Sequence, residues 1–317
     1  MAEDNNTVAV YAQQVLGQVR KAVTGKDHIL LWVLAAILAK GHILLEDIPG
    51  VGKTTMALAF CRALGLSHNR VQFTPDVLPS DVTGYSVLDQ QTHRMVYQNG
   101  AVLCNLFLAD ELNRATSRTQ SALLEAMEEG QVTVDGVSHP LPQPFIVIAT
   151  QNPTGAAGTQ LLPDSQLDRF AVQLSLGYPS AKDEVTMVLN RQGTDPLQEI
   201  TPVLSCEQLQ QLRQIVAQTF ISEDVVQYVV ALIRSTRDSE LTEQGASPRA
   251  TLSLISLSKA VARLRSRDYV IPQDVQEVFC HGISHRIRLS AQAQGQGLSP
   301  RQVLQQLMRN VPAPKLR

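Results

Sequence analysis

A lysine and two threonines that follow a glycine-containing loop are the residues with the clearest chemical potential. In the stretch His42–Thr55 a short apolar run leads to Pro49-Gly50-Val51-Gly52-Lys53-Thr54-Thr55, and an apolar, helix-forming run follows. Glycines let backbone N–H groups approach an anion closely, and a helix N-terminus adds partial positive charge. Lys53 would then contact the β- and γ-phosphates of a nucleotide, and the Thr54 hydroxyl would ligate Mg²⁺. The stretch therefore predicts a phosphate-binding loop.

One position in this stretch departs from the usual phosphate-loop pattern. Where G-x-x-x-x-G-K-[ST] has its first glycine, this chain has Asp47. Aspartate tolerates a left-handed backbone better than most residues, so the turn can form. An extra carboxylate near the phosphates could still weaken nucleotide binding.

Two adjacent carboxylates at the end of another apolar run indicate a second part of the same site. Leu106–Ala109 is predicted to be a buried strand, and Asp110 and Glu111 follow it directly. Because parallel sheets present active groups at the carboxyl ends of their strands, we expect this pair beside the phosphate-binding loop. Asp110 would hold Mg²⁺ through water, and Glu111 would polarise the water that attacks the γ-phosphate. The alternative is an ordinary acidic pair at the start of a loop.

Three further polar residues stand at positions that fit the same chemistry. Asn152 follows the apolar run Phe145–Thr150 and could orient the attacking water, although Asn-Pro alone also predicts a turn. Arg249 lies in the first turn of a predicted helix, where a cation is disfavoured unless an anion such as phosphate pairs with it. Arg169 is a cation in Asp168-Arg169-Phe170. Either arginine could instead form a surface ion pair of little energetic value.

The composition indicates a soluble protein with a well-formed core. The 317 residues, 44% hydrophobic and 18% charged, predict about two domains. A net charge of −2 gives no general attraction for nucleic acid, and the four scattered cysteines fit reduced thiols in the cytosol. The most apolar helical run, Ile29–Ala39, is too short to span a bilayer. We therefore expect a cytoplasmic protein that neither inserts into membranes nor binds nucleic acid. The histidines, including His281 and His285 near Cys280, do not indicate a metal site.

The elements that must position these residues follow an α/β pattern in the first part of the chain. Strands are predicted at 43–45, 70–73, 106–109, 145–150 and 171–176, with helices between them, including a short one at 164–170. Two hairpins, near 85–97 and 131–138, interrupt the alternation, and the second contains an Asp135-Gly136 turn. From residue 205 the pattern is helical throughout, with helices predicted at 205–219, 222–236, 248–265, 272–289 and 300–309. We therefore predict a nucleotide-binding domain of residues 1–193 and a helical domain of residues 194–317.

Taken in order, these motifs resemble those of the MoxR-type AAA+ ATPases. The resemblance extends over nearly the whole chain and rests on residues 41–54, 72–84, 108–115, 119–133, 149–153, 167–170 and 247–250. It implies an α/β fold: an AAA+ P-loop αβα sandwich with a five-stranded parallel core sheet, followed by an all-helical lid. It also implies that the hairpins near 85–97 and 131–138 are the helix-2 insert and the pre-sensor-1 hairpin, which face the pore of a ring in related proteins.

The resemblance implies a role for each candidate residue. The matches are Lys53 and Thr54 to the Walker A lysine and hydroxyl, Asp110 and Glu111 to the Walker B pair, Asn152 to sensor 1, Arg169 to an arginine finger supplied to a neighbour, and Arg249 to the sensor 2 arginine. The ligands it implies are ATP and Mg²⁺. An arginine donated across an interface makes hydrolysis depend on the neighbouring subunit, which is a physical reason for a ring.

The same resemblance implies partners. Proteins of this type typically form nucleotide-dependent rings, commonly hexamers, and act as chaperone-like motors that mature or activate protein complexes. Von Willebrand A-domain proteins are often encoded nearby and are possible partners, and some family members support metal or cofactor insertion. The alternatives are a metal-chelatase motor subunit, a nucleic-acid motor, and a nucleotide-binding scaffold without turnover. Near-neutral charge and the lack of a recognisable DNA-binding module count against the nucleic-acid motor.

Overall fold

The computed structural model describes residues 2–48, 50–152, 162–190 and 195–315. The helices are α1 (Ala2–Ala22), α2 (Asp27–Leu38), α3 (Lys53–Ala63), α4 (Pro79–Thr83), α5 (Ser117–Glu129), α6 (Asp164–Leu167), α7 (Ala181–Asn190), α8 (Cys206–Ala217), α9 (Glu223–Arg237), α10 (Pro248–Leu264), α11 (Pro272–Ile283), α12 (Ala291–Gly295) and α13 (Pro300–Asn310). None of these helices within the described residues combines the length and apolar character needed to cross a bilayer.

Five parallel strands form the central sheet, as predicted. They are β1 (His42–Glu46), β2 (His68–Gln72), β5 (Leu106–Asp110), β8 (Ile146–Gln151) and β9 (Phe170–Leu174), in the spatial order β2-β5-β8-β1-β9. The central strands are almost wholly apolar, as expected for a parallel sheet that is covered on both faces. The order places β8 between β1 and β5, so the phosphate-binding loop and Asp110 flank the end of β8 rather than touch as immediate neighbours.

Alternation along the strands divides the apolar residues between two cores. Ile43 and Leu108 belong to a core on one face, whereas Leu44 and Phe107 belong to a core on the other. The C-terminal helices pack on the first face, and apolar side chains such as Leu254 of α10 join the same core. The C-terminal helices are therefore continuous in packing with the α/β part.

Both predicted hairpins are present. The first pairs β3 (Gly84–Leu88) with β4 (Met95–Asn99), and the second pairs β6 (Gln131–Val134) with β7 (Val137–Pro140). Asp135 and Gly136 have φ values of +50° and +78°, as a tight hairpin turn requires. The rings of Tyr97 and His139 stack with their centroids 3.7 Å apart, so the two hairpins contact each other.

Two helix predictions needed correction. The helix predicted over 272–289 ends at Ile283, and Arg288–Leu289 (β11) pairs instead with Thr242–Gln244 (β10) as a short antiparallel ladder. The helix does not continue to residue 289 because the side chain of Leu289 is buried in a small apolar cluster with residues of α13. The helix predicted over 164–170 ends at Leu167, since Phe170 already belongs to the buried edge strand of the sheet.

Candidate active site

The predicted phosphate-binding loop follows β1 and leads into α3. Gly50 and Gly52 have φ values of +86° and +94°, a conformation that side-chain-bearing residues rarely adopt. Lys53 is the first residue of α3, and its buried Nζ donates a hydrogen bond of 2.6 Å to the backbone carbonyl of Asp47. The loop is therefore closed around its own lysine, with the N-terminus of α3 directed at its centre. Pro49, also predicted to contact nucleotide, lies outside the described residues.

The lysine lies within electrostatic reach of the predicted Walker B carboxylates. Burial lowers the pKa of Lys53 below its usual value, and the negative charges of Asp47, Asp110 and Glu111 partly oppose that decrease. The loop and the ends of β5 and β8 therefore form one charged region, as the strand-end argument predicted.

The carboxylate of Asp47 is hydrogen-bonded to the backbone of another segment. Its Oδ2 accepts hydrogen bonds from the backbone N–H groups of Leu176 and Gly177, the second at 3.0 Å. Asp47 is only 7% exposed, so without these bonds it would be a buried unpaired charge. The residue that replaces the usual glycine thus fastens the phosphate-binding loop to the segment that follows β9.

At the end of β5, both oxygens of Asp110 accept hydrogen bonds. Thr150 Oγ1 donates to Oδ1 at 2.6 Å, and Arg70 Nη2 lies 2.8 Å from Oδ2. Thr150 also accepts a bond of 2.8 Å from the backbone N–H of Glu111, which has a φ of +56°. Thr150 therefore fixes the turn in which the two carboxylates separate.

The side chain of Glu111 meets Asn152, as the predicted water-activating pair requires. Asn152 Nδ2 donates to Glu111 Oε1 at 3.1 Å, and Arg114 Nη1 donates to Oε2 at 2.8 Å. These bonds, led by the one from Arg114, lower the pKa of Glu111 below its usual value. Asn113 in turn binds the backbone N–H and carbonyl of Asn152 at 3.3 and 3.2 Å. The arrangement holds an ionised carboxylate next to a neutral amide.

Arg169 and Arg249 bind the same carboxylate, which belongs to Glu128 near the end of α5. Arg169 donates from Nε and Nη2 to Glu128 Oε2 at 3.0 and 2.6 Å, and Arg249 pairs with Oε1. Among the residues that the structure describes, neither arginine pairs with the phosphate-binding loop or with Asp110 and Glu111. Glu128 therefore brings the two arginines together.

Comparisons with known proteins agree with these features. Residues 42–172 match the model of the ATPase family associated with various cellular activities (AAA), and residues 234–307 match that of the AAA lid domain. The chain is 42% identical over 296 residues to the uncharacterised protein YeaC of Bacillus subtilis (strain 168), covering 93% of this chain and 92% of that protein. It is 38% identical over 313 residues to Chaperone MoxR1 of Mycobacterium tuberculosis, covering 96% and 82% respectively.

The chain belongs to the MoxR family of AAA+ ATPases. A solved structure of a candidate ATPase from Cytophaga hutchinsonii has the same fold, with a TM-score of 0.90 and 34% identity over 99% of this chain and 98% of that one. The resemblance identified from the motifs is thereby confirmed, as is the α/β AAA+ fold.

Membership of this family implies nucleotide with Mg²⁺, and the residues present fit that ion. Thr54 offers a hydroxyl and Asp110 a carboxylate, and Mg²⁺ prefers oxygen ligands. Each oxygen of Asp110 accepts one hydrogen bond from the protein, which leaves lone pairs for water molecules that reach a metal ion. When bound, Mg²⁺ would neutralise charge that develops on the phosphates.

A cavity of about 220 Å³ adjoins the phosphate-binding loop of this MoxR-family chain. Its walls come from the loop, from Val23 just after α1, and from the segment around Pro179 and Met187. Apolar walls next to a phosphate-binding loop suit a flat, largely apolar base. The sequence pattern alone did not single out this cavity.

The histidines near Cys280 serve packing. The ring of His281 lies against that of Trp32 at a tilt of 34°, with centroids 5.3 Å apart, whereas the buried His285 Nε2 lies 2.8 Å from the carbonyl of Phe170. Burial lowers the pKa of His281 to about 4 and that of His285 to about 3. Within the described ranges, no three histidine, cysteine or acidic side chains come together as a metal site.

Four residues that contact the predicted site were missed from the sequence. They are Arg70, Arg114, Glu128 and Thr150. Arg114 follows Glu111 by three residues, and Thr150 precedes Asn152 by two, so closeness along the chain was an available signal. Arg70 and Glu128 gave no such signal. Only the order of the strands places Arg70 beside Asp110, and only the packing of α5 places Glu128 beside the two arginines.

Proposed function

We propose that this protein is a Mg²⁺-dependent ATPase that converts ATP and water to ADP and phosphate in a ring with sites shared between subunits. The observation that supports the proposal is that the candidate residues form two separate charged groups. Lys53, Glu111 and Asn152 gather at one edge of the sheet, whereas Arg169 and Arg249 gather on Glu128. A single subunit thus holds a nucleotide-binding half and a cationic half.

The nucleotide-binding half would hold ATP through the loop. Backbone N–H groups of Gly50, Val51 and Gly52 and the N-terminus of α3 would contact the phosphates, together with Lys53. Thr54, Thr55 and Asp110 would complete the phosphate and metal contacts, and the base would enter the apolar cavity beside Val23. The Asp47 anchor supports this role because its Oδ2 ties the loop to the backbone of Leu176 and Gly177.

Glu111 and Asn152 would act on water. The carboxylate of Glu111 stays ionised because Arg114 and Asn152 hydrogen-bond to it, and each of its oxygens retains a lone pair for a water molecule. The neutral amide of Asn152 would orient that water without competing for Mg²⁺.

Arg169 and Arg249 would complete the site of the next subunit. Among the described residues, both guanidinium groups pair with Glu128 and neither pairs with a side chain of the phosphate-binding loop. A cation supplied from a neighbour stabilises charge on the transferred phosphoryl group and makes turnover depend on assembly. We propose a hexameric ring on this basis and by analogy with related AAA+ proteins.

The two hairpins would contact a protein client. Leu88 and Met95 are exposed at the end of the first hairpin, and Val137 is exposed at the turn of the second. Because Tyr97 stacks on His139, the hairpins would move together when nucleotide changes the ring. We propose remodelling or activation of a partner complex in the cytoplasm, with a von Willebrand A-domain protein as a candidate partner. We also propose a functional division at residues 193–194 between nucleotide-binding and lid parts.

Subunit mixing tests the shared site. Arg169→Ala and Lys53→Ala proteins should each lose ATPase activity, and mixing them should restore part of it. In a mixed ring the intact loop of one subunit can meet the intact arginine of the other. Activity is measured as phosphate release at a fixed total protein concentration over a range of mixing ratios. No recovery at any ratio, with both variants assembled, would contradict a site that is shared between subunits.

A further inference from the structure

Glu128 stands where three parts of the molecule meet. It lies in the last turn of α5, just before the hairpin that begins at Gln131. Arg169 reaches it from the turn before β9, and Arg249 reaches it from the first turn of α10. One carboxylate therefore joins the α/β core, the pre-sensor hairpin side and the lid.

Electrostatics explain why two arginines can stand together here. Two guanidinium groups that share one carboxylate repel each other, and the carboxylate between them offsets that repulsion. The end of α5 adds partial negative charge, which favours cations and disfavours an unpaired glutamate. Hydrogen bonds from Arg169 and Arg249 lower the pKa of Glu128, so it is ionised at neutral pH. The cluster of Glu128, Arg169 and Arg249 keeps a net charge of +1.

Hydrogen bonds from Arg286 and Ser247 fix the backbone segments that carry the two arginines. The buried Arg286 donates from Nη2 to the carbonyls of Asp168 and Phe170 at 3.2 and 2.7 Å, which flank Arg169. Ser247, the N-cap of the helix that carries Arg249, donates to Asp168 Oδ2 at 2.8 Å. The backbones that carry both arginines are therefore held together, and the remaining freedom belongs to their side chains.

We propose that Glu128 is a positioning residue that holds Arg169 and Arg249 as one two-cation unit for the neighbouring subunit's nucleotide. The inference rests on the proposed function, because it gives the two arginines a shared target. Arg169 uses Nε and Nη2 on Glu128, which leaves Nη1 with a 3.5 Å contact to the carbonyl of Ser165. A guanidinium held by one edge presents its other edge in a fixed direction, which a phosphate oxygen can use.

The same geometry predicts that Glu128 matters little for folding. The side chains of Glu128, Arg169 and Arg249 are 35%, 26% and 46% exposed, and exposed ion pairs contribute little to stability. If substitution of Glu128 changes turnover without changing stability, its role is therefore to position the two arginines.

The test is Glu128→Gln, with Glu129→Gln as its matched control. Glu129 is the next residue of the same helix, exposed and equally acidic, and among the described contacts it has none with Arg169 or Arg249. We expect Glu128→Gln to lower kcat by at least about 10-fold with KM for ATP within about 3-fold, because ground-state binding lies in the other half of the site. The control should keep wild-type turnover, and both variants should melt within about 2 °C of the wild type.

Two further measurements separate this inference from the shared-site proposal. Glu128→Gln mixed with Lys53→Ala should regain activity, as Arg169→Ala does. Adding Glu128→Gln to the Arg169→Ala/Arg249→Ala double variant should lower kcat no further, because Glu128 acts through those side chains. Glu128→Asp keeps the charge but has a shorter side chain, so its kcat should lie between that of Glu128→Gln and that of the wild type.

Wild-type or increased turnover in Glu128→Gln would overturn the positioning role. An increase would mean that Glu128 restrains the arginines instead of directing them. If that result came together with recovery in the Arg169→Ala and Lys53→Ala mixture, the shared site would stand and only the role of Glu128 would fail. If the Arg169→Ala mixture gave no recovery, the shared site itself would fail.

Discussion

The two charged regions of this protein have opposite compositions. In each of them, like charges that lie close together are paired with side chains of the opposite charge. In the nucleotide-binding half, the acidic pair Asp110 and Glu111 is neutralised by two arginines, Arg70 and Arg114. In the arginine half, Arg169 and Arg249 are compensated by a single carboxylate, that of Glu128. One region is thus balanced within itself, whereas the other retains a net positive charge, which the proposed shared site would use.

The regions also differ in how they are built. The nucleotide-binding residues extend from adjacent strand ends of a single sheet, and short hydrogen bonds such as that between Thr150 and Asp110 fix them. The arginine half joins separate elements, because Glu128 is 41 positions from Arg169 and 121 positions from Arg249. Movement of the lid would therefore change the arginine half while leaving the strand ends in place. This makes the arginine half the better candidate for regulation by neighbours.

The largest expected effect is in the nucleotide-binding half. Glu111→Gln should lower kcat by at least about 100-fold with nearly unchanged ATP affinity, because an amide cannot polarise the attacking water. Single-turnover hydrolysis and titration with a fluorescent ATP analogue measure the two quantities.

Subunit mixing should distinguish Glu111→Gln from Arg169→Ala. Unlike Arg169→Ala, Glu111→Gln should not regain activity when mixed with Lys53→Ala, since both changes lie in the same half of the site. Recovery in that mixture, or turnover like the wild type in Glu111→Gln alone, would show that Glu111 does not do the chemistry assigned to it.

An intermediate effect is expected at Asp47, which anchors the phosphate-binding loop. Asp47→Gly restores the usual phosphate-loop residue but leaves the N–H groups of Leu176 and Gly177 without their acceptor. We expect the free energy of unfolding to fall by about 2 kcal/mol and ATP affinity to weaken, because buried unpaired donors are costly.

Denaturant unfolding and nucleotide titration measure this effect, with Asp47→Asn as the control. The asparagine keeps one acceptor oxygen, so its loss of stability should be smaller. Tighter ATP binding in Asp47→Gly at unchanged stability would mean that the carboxylate repels phosphate after all.

Strand-end reasoning predicted most of the nucleotide-binding half. Apolar runs that end in Asp110-Glu111 and in Gln151-Asn152 could be aligned without knowing the strand order, because parallel strands present their carboxyl ends at one edge. The strand order itself, with β8 between β1 and β5, depends on long-range packing that no local pattern contains. The antiparallel ladder of β10 and β11, two short strands on either side of α10 and α11 in the chain, was missed for the same reason.

The arginine half was less accessible to sequence reasoning. Spacing alone gave Arg169 and Arg249 an ion-pair alternative, and only the family resemblance assigned them roles. The ion-pair alternative is observed, with one carboxylate shared by both arginines, whereas the roles that the resemblance implies stay predictions. Glu128 could not be distinguished from Glu129 by periodicity, because both are exposed on the same turn of α5. Their different neighbours appear only once the chain is folded.

The smallest expected effect concerns pH and the arginine half. His285 is buried against the carbonyl of Phe170 and beside Arg286, the residue that ties the backbone around Arg169. Burial lowers its pKa from 6.5 to about 3 in the folded protein, so between these values the unfolded chain binds more protons. Its contribution to stability is therefore complete above about pH 6.5 and is lost as the pH falls towards 3.

Replacing this histidine should flatten the pH dependence of stability. Between about pH 7.5 and 5.5, His285→Gln should lose about 1 kcal/mol less unfolding free energy than the wild type, since glutamine does not titrate. Denaturant unfolding at the two pH values measures the difference, and each protein is compared with itself, so a constant loss from the substitution cancels. An identical pH dependence in both proteins would mean that His285 ionises alike in the folded and unfolded states. The structure argues against that outcome, because an imidazolium there would face the guanidinium of Arg286 without a counter-ion of its own.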